Sequence, residues 1–145
     1  MAYKHGVDTL ITRLMLETGL MLAESGRHDQ AISIISAVKE FRDEIPHPGV
    51  CLGVAYLYMG EAAQAVKQIE ATLADFPSHP LALAMLGTAL RETGSPRWRE
   101  VLGDVIESGT NDQWAMTLAR TVLELRDPTE QGDDVTFARL KGVFS

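Results

Sequence analysis

The chain of 145 residues carries 20 acidic and 13 basic side chains, a formal net charge of −7, and 46% of its residues are hydrophobic. This length and apolar content suffice for one domain with a sizeable core and argue against general disorder. The negative charge, without a visible basic stripe, argues against nucleic acid or an anionic membrane surface as a partner. The single cysteine, Cys51, excludes an intrachain disulfide.

Neither a secretion signal nor a run of about twenty apolar residues stands in the sequence, so we expect a soluble, cytoplasmic protein without membrane insertion. Val, Ile and Thr never gather into an alternating run, so strands are not expected. These two observations favour an all-α domain.

Four sets of residues recur every 34 positions along the chain. They are Gly19, Gly53 and Gly87; Gly26, Gly60 and Gly94; Leu22, Tyr56 and Leu90; and Ala31 with Ala65. A period of about 34 residues is the length of a tetratricopeptide repeat, a hairpin of two helices, A and B. The first glycine set predicts close contact of helix A with helix B, and the second predicts a left-handed backbone that ends helix A.

The predicted elements follow from this period in chain order. They are Asp8–Glu24 and Asp29–Arg42 in repeat 12–45, His47–Met59 and Glu61–Ala74 in repeat 46–79, and Leu81–Thr93 and Pro96–Ser108 in repeat 80–113. The third helix B is irregular, because Arg99 occupies the position that Ala31 and Ala65 hold. We expect this hairpin to open or shift, with Trp98 filling the space.

A closing helix follows at 113–126, where Trp114, Leu118, Val122 and Leu125 recur at helical spacing. An end repeat must cover its apolar face, so this helix is the expected cap. The helical domain would thus span 1–126. Residues 127–145 are predicted to form an acidic, partly flexible tail with a short helix, whose Phe137, Leu140 and Phe144 dock on the body or on a partner.

Motifs of catalysis and cofactor binding are not visible in this sequence. It contains no nucleotide-binding glycine loop and no GxSxG elbow. His47 and Cys51 are four residues apart, but no further ligands stand at metal spacing. His28 and His79 fall in predicted turns and are most simply solvated. We therefore expect no enzyme activity, no metal and no cofactor.

The repeats resemble the tetratricopeptide superfamily across about 12–113, which implies a right-handed superhelix of three hairpins plus the closing helix. In size, acidic balance and repeat number the chain resembles the small tetratricopeptide-like chaperones of bacterial type III secretion. These are needle-subunit co-chaperones, translocator chaperones and Hrp-type small proteins. The segments Ala84–Leu90, Gly94–Trp98 and Val105–Gly109 are similar to the end of the Hrp-type proteins.

The resemblance also implies which residues of the A helices line a concave groove. These are Arg13, Leu16, Leu20, Val50, Val54, Leu57, Tyr58, Ala84, Thr88 and Arg91. An apolar centre of this kind suits an amphipathic helix or an extended apolar peptide, with Arg13 and Arg91 pairing with acidic groups at the edges. Lys and Asn are missing at the positions that clamp a peptide carboxylate in other members, so that binding mode is not expected.

The resemblance implies a chaperone that holds an amphipathic segment of a secreted subunit in this groove, with a small helical co-chaperone as a third partner. The alternative is an adaptor or a self-associating scaffold without a chaperone role. A homodimer, or the chain's own terminal segments, would also cover the groove.

Overall fold

Seven α-helices form the part of the chain that the computed structural model describes, which is residues 2–125, with side chains from residue 8 onward. The helices are α1 (Ala2–Glu24), α2 (His28–Phe41), α3 (His47–Tyr58), α4 (Ala62–Asp75), α5 (Pro80–Glu92), α6 (Trp98–Glu107) and α7 (Gln113–Glu124). No strand occurs in this range, which confirms the predicted all-α class. Helix α1 begins six residues earlier than predicted, at Ala2.

The helices pack as a single linear stack of hairpins. The pairs α1 and α2, α3 and α4, and α5 and α6 lie against each other, and each second helix also contacts the first helix of the next pair. The helices α1, α3, α5 and α7 are in turn neighbours along the stack. As a result, α1 stands at one end of the described stack and α7 at the other.

The first glycine column marks the points where the two helices of each hairpin meet. A Cβ atom at Gly53 would lie 2.5 Å from Ile69 Cγ1, and one at Gly19 or Gly87 would overlap Ile35 or Leu102. No real Cβ contact is that short, so only glycine permits this approach. The prediction of close contact between helices at these positions is confirmed.

The second glycine column ends the first helix of each hairpin. Gly60 has φ +76°, and Gly26 and Gly94 have φ +87° and +80°. At Gly60 the chain reverses with two backbone hydrogen bonds: Gly60 N donates to Leu57 O at 3.1 Å, and Glu61 N donates to Tyr56 O at 2.9 Å. This is the hydrogen-bond pattern of a glycine-terminated helix, and the left-handed backbone expected there is confirmed.

Two buried clusters make up the core. The smaller joins the first hairpin to one side of α3 and contains Leu16, Ala23, Ala31, Ile35, Val38, Leu52 and Ala55. The larger joins the other side of α3 to α4, α5, α6 and α7. Leu20, Tyr56 and Tyr58 are half-buried and pack against both clusters. Helix α3 therefore separates the two halves of the core.

The third hairpin differs from the prediction at its second helix. Trp98, not Arg99, lies four residues before the side chain that packs on the glycine, as Ala65 lies four before Ile69. The reason is a turn one residue shorter: Trp98 stands four positions after Gly94, whereas Ala65 stands five positions after Gly60. Trp98 is buried as expected, whereas Arg99 is exposed with its Cζ 4.4 Å from the Trp98 ring centroid. Of the two expected outcomes, the opening is wrong because α5 and α6 remain packed, whereas the register does shift by one residue.

Helix α7 covers the last hairpin. Asp112 Oδ1 accepts a hydrogen bond from Ala115 N at 3.0 Å and so caps its first turn. Leu118 and Val122 are buried against the stack, while Trp114 stays 56% exposed. The predicted tail at 127–145, with Phe137, Leu140 and Phe144, lies outside the described residues, and so does Arg126 of the closing helix.

The glycine contact gives a stability prediction. We expect Gly53→Ala to lower the free energy of unfolding by about 1–3 kcal/mol, because the new methyl group overlaps Ile69. Urea denaturation measures this change. Gly103→Ala is the matched control: Gly103 also lies within a helix, but an added Cβ meets nothing within 4 Å, so it should gain up to about 1 kcal/mol. Equal effects at the two sites would contradict the packing argument.

Candidate functional site

Most of the predicted groove residues are inaccessible in this structure. Seven of the ten are buried: Leu16, Val50, Val54, Leu57, Ala84, Thr88 and Arg91. Leu20 and Tyr58 are half-buried, and Arg13 is exposed. Helix α5 is enclosed because it contacts α3, α4, α6 and α7 at once. These ten positions therefore do not form the open apolar surface that the sequence predicted, and their part in binding stays a prediction.

The two arginines of the predicted groove are engaged within the chain. Arg91 is 1% exposed, its Nη1 donates to Glu92 Oε1 at 3.3 Å, and its Cζ lies 5.6 Å from the Trp98 ring centroid. A carboxylate and an aromatic face are the partners that a buried guanidinium needs. Burial raises the pKa of the Glu92 carboxyl, and the charge of Arg91 opposes that shift. Arg91 thus stabilises the α5–α6 hairpin.

Arg13 forms an exposed ion pair on α1. Its Nε lies 3.0 Å from Glu17 Oε1, one helical turn further along. An exposed pair of this type contributes little to stability, about 0.3–0.5 kcal/mol. Arg13 thus remains the most accessible of the predicted groove residues.

The first turns of α3, α5 and α7 meet at one edge of the stack. His79 is the N-cap of α5, and its Nδ1 accepts a hydrogen bond from Ala82 N at 3.2 Å. The His79 ring packs edge to face on His47, with centroids 5.9 Å apart. Burial lowers the pKa of His79, and His47 lowers it further, while Asp112 at the start of α7 opposes the shift. The expectation that His79 is simply solvated is wrong; the following Pro80 was the signal for a helix start.

Metal and thiol chemistry find no support among the described residues. Nowhere in residues 8–125 do three His, Cys, Asp or Glu side chains converge as metal ligands. His47 contacts His79 instead of forming a site with Cys51. Burial raises the pKa of the Cys51 thiol to about 12, so the thiol stays protonated near neutral pH. Within the described part of the chain, no helix has the length and apolar character needed to cross a membrane.

A concavity lies between α2 and α4. It encloses about 830 Å³ and is lined by a mixture of polar and apolar side chains, among them Glu40, Asp43 and Phe76. Lys39 Nζ donates to Gln68 Oε1 at 3.3 Å across it. This hydrogen bond links the first two hairpins.

An exposed apolar surface lies at the free end of the stack, and the sequence-based reasoning missed it. Its residues, here called the outer face, are Leu10, Ile11, Leu14, Met21 and Phe41, which are 49–81% exposed. Leu14 and Met21 stand 34 residues before Pro48 and Ala55, which are buried where the first hairpin packs on α3. Among residues 2–125 no helix packs on α1 in this way, and the same positions are exposed. The spacing of Leu10, Leu14 and Met21 on one helix face was the available signal.

The family comparison decides the biological setting. Residues 2–128 match the family described as bacterial type III secretion protein (HrpB1_HrpK), and the match includes all seven helices. The chain belongs to this family. The predicted link to type III secretion is thereby confirmed. No curated protein and no solved structure matches the chain.

The His79 cap predicts a pH-dependent stability. Protonated His79 cannot accept the Ala82 hydrogen bond. Because the pKa of His79 is lowered from 6.5 in the folded chain, the unfolded chain binds the proton first as pH falls. Stability present at neutral pH should therefore be lost progressively below pH 6.5, with about 1 kcal/mol at stake in the cap.

Thermal unfolding at about pH 7.5 and about pH 5.5 measures this loss. These conditions lie about one pH unit above and below the ordinary pKa of histidine. His79→Asn retains a capping side chain that does not titrate, so its melting temperature should fall less between the two conditions. His28→Asn is the control, because His28 is the exposed first residue of α2 and lies away from this contact. Its melting temperature should change between the two conditions as that of the unaltered chain does. A fall in the His79→Asn variant as large as in the unaltered chain would rule out the cap as the cause.

Proposed function

We propose that this chain is a non-catalytic, protein-binding module of bacterial type III secretion, built as a tetratricopeptide-like right-handed superhelix. The repeat character is supported by the glycine columns and by the order in which the helices contact one another. Membership of the secretion family carries the functional part of the proposal. Apolar side chains at the end of the stack are of the kind that protein partners bind.

A chaperone role is the finer form of this proposal. It assigns the A-helix groove to an amphipathic segment of a secreted subunit and places the protein in the cytoplasm, where export begins. After the exposed Arg13, the groove side chains most accessible to a client are Leu20 and Tyr58, half-buried between the two core clusters. Deeper binding would require α5 to separate from its neighbours.

An adaptor or self-associating scaffold is the second candidate. The burial of Val50, Val54 and Leu57 in the isolated chain favours it, because a surface that is already covered needs no client. An adaptor would bind through exposed residues and is not tied to the cytoplasm. A location outside the cytoplasm in cell fractionation would therefore favour the adaptor form. A secreted subunit that needs the chain to stay soluble would favour the chaperone form.

Co-expression of the full chain with each secreted subunit of the same secretion system tests the chaperone form. A chaperone should give a soluble complex, and a strain lacking it should accumulate less subunit. We expect Leu20→Gln with Tyr58→Ser to reduce the recovered subunit by about tenfold, equivalent to about 1.4 kcal/mol. Trp114→Gln, an exposed apolar residue on α7, is the control and should leave recovery unchanged.

The deeper groove positions are unsuitable for this test. Val54 and Leu57 are 8% and 4% exposed, so a glutamate at either would bury an unpaired carboxylate and unfold the stack. If subunit solubility is unaffected by the full chain, the chaperone form is wrong and the adaptor form stands. If no component of the secretion system, secreted or assembled, binds the full chain, the module proposal itself fails.

A further inference from the structure

We propose that the outer face binds an amphipathic α-helix of a partner protein, one whose apolar stripe is flanked by Lys or Arg. This inference rests on the proposed function, because it names the surface and the partner chemistry of the binding module. The site is distinct from the A-helix groove. Four of its five residues lie on α1 and the fifth, Phe41, ends α2.

The outer face corresponds to a surface that another helix covers elsewhere in the stack. Helix α2 packs on α3, α4 on α5, and α6 on α7, so a helix covers this side of the following helix three times. At α3 the covered residues include Leu52 and Ala55, both buried. Their counterparts on α1, Thr18 and Met21, are exposed. One more helix in the same position would continue the stack by one step.

The outer face is an apolar stripe along α1 with a concavity beside it. Leu10, Leu14 and Met21 fall on one side of α1, and the eleven steps from Leu10 to Met21 span about 16 Å at a rise of 1.5 Å per residue. A partner helix of about three turns matches that length. Beside this stripe, a concavity of about 370 Å³ between Ile11 and Phe41 can receive an apolar side chain.

The hairpin that carries the outer face is acidic. The first hairpin, residues 8–45, has seven acidic and four basic side chains, a net charge of −3. Two of the four bases, Arg13 and Arg42, form ion pairs with Glu17 and Glu44. Asp8 lines the concavity beside Phe41.

A second concavity of about 520 Å³, further along the hairpin, is lined by Asp29 next to Leu22 and Ile34. Carboxylates thus stand at both ends of the surface between α1 and α2. They favour a partner with cations beside its apolar stripe and disfavour an acidic one.

A second copy of the chain is a poorer match. The opposite end of the described stack is α7, where the exposed residues include Trp114 and Arg120. Arg120 stands 33 residues after Gly87, at the position where a following helix would pack. Head-to-tail stacking would therefore bring a cation and a single indole to the outer face, without an apolar stripe.

The chain's own C-terminal residues are also a poorer match, because of their charge. Residues 126–134 are long enough to span the roughly 24–30 Å between the axes of α7 and α1. However, Asp127, Glu130, Asp133 and Asp134 make this stretch acidic, and the carboxylates beside the outer face disfavour an acidic segment.

Two synthetic peptides test the proposal against the full chain by fluorescence anisotropy. Each has sixteen residues, about four helical turns, with leucines at helical spacing; one carries lysines beside the stripe and its twin carries glutamates. We expect the lysine peptide to bind about tenfold more tightly than its twin, with a smaller difference at about 0.5 M salt. Leu14→Gln with Met21→Gln should weaken its binding about tenfold, whereas Trp114→Gln should not change it.

Several results would overturn the proposal. Equal binding of the lysine peptide to the double variant would remove the outer face as the site, and equal binding of both peptides would remove the charge argument. A dimer that Leu14→Gln with Met21→Gln dissociates would assign the face to a second copy. A rise of about tenfold in peptide affinity for the full chain carrying Phe137→Gln and Phe144→Gln would assign it to the chain's own C-terminus.

The test also separates this inference from the proposed function. A chain that binds a component of the secretion system but not the lysine peptide keeps the proposed function and loses the outer-face site. A chain that binds the lysine peptide but no secretion component loses the proposed function while the surface chemistry stands.

Discussion

Close approach of the two helices in each hairpin is the constraint on which the stack depends. Where Gly53 meets Ile69, the missing side chain lets the isoleucine lie against the backbone of the facing helix. Corresponding close contacts recur at Gly19 with Ile35 and at Gly87 with Leu102. A close contact at the same place in each hairpin lets successive hairpins pack in the same way, and buried alanines such as Ala65 fill the remaining space. The order of the stack thus follows from one repeated steric condition.

The helices were predictable because their signals are local. Glycines with left-handed backbone, prolines at helix starts and apolar residues at helical spacing act within a few residues of the chain. They located six of the seven described helices to within two residues at each end, and they placed the start of α1 six residues too late. The register of the third hairpin was not predictable from the period alone. A turn shortened by one residue moves Trp98 into the place assigned to Arg99, and only the contact of Gly87 with Leu102 reveals it.

The site was harder to predict because accessibility is a property of the assembled stack. The positions of Val54, Thr88 and Arg91 on their helices follow from the period, but their burial depends on how many neighbours each helix acquires. The converse holds for Leu14 and Met21, which look like core residues in the sequence and lie exposed because no other helix of the described stack covers that side of α1. End effects of this kind are invisible to a repeat argument, which treats every copy as internal.

The division of the core at α3 has a consequence for the way the chain opens. The first hairpin is attached through one side of α3, with Leu20, Tyr56 and Tyr58 as the half-buried link to the larger cluster. In a stack where each unit touches only its neighbours, the terminal unit loses the fewest contacts on detachment. Backbone amides of α1 and α2 should then exchange with solvent through a sub-global opening that leaves α4 to α7 intact. A helix bound beside α1 would add a neighbour to this terminal unit and slow that exchange. The first hairpin would then open together with the rest of the stack instead of before it.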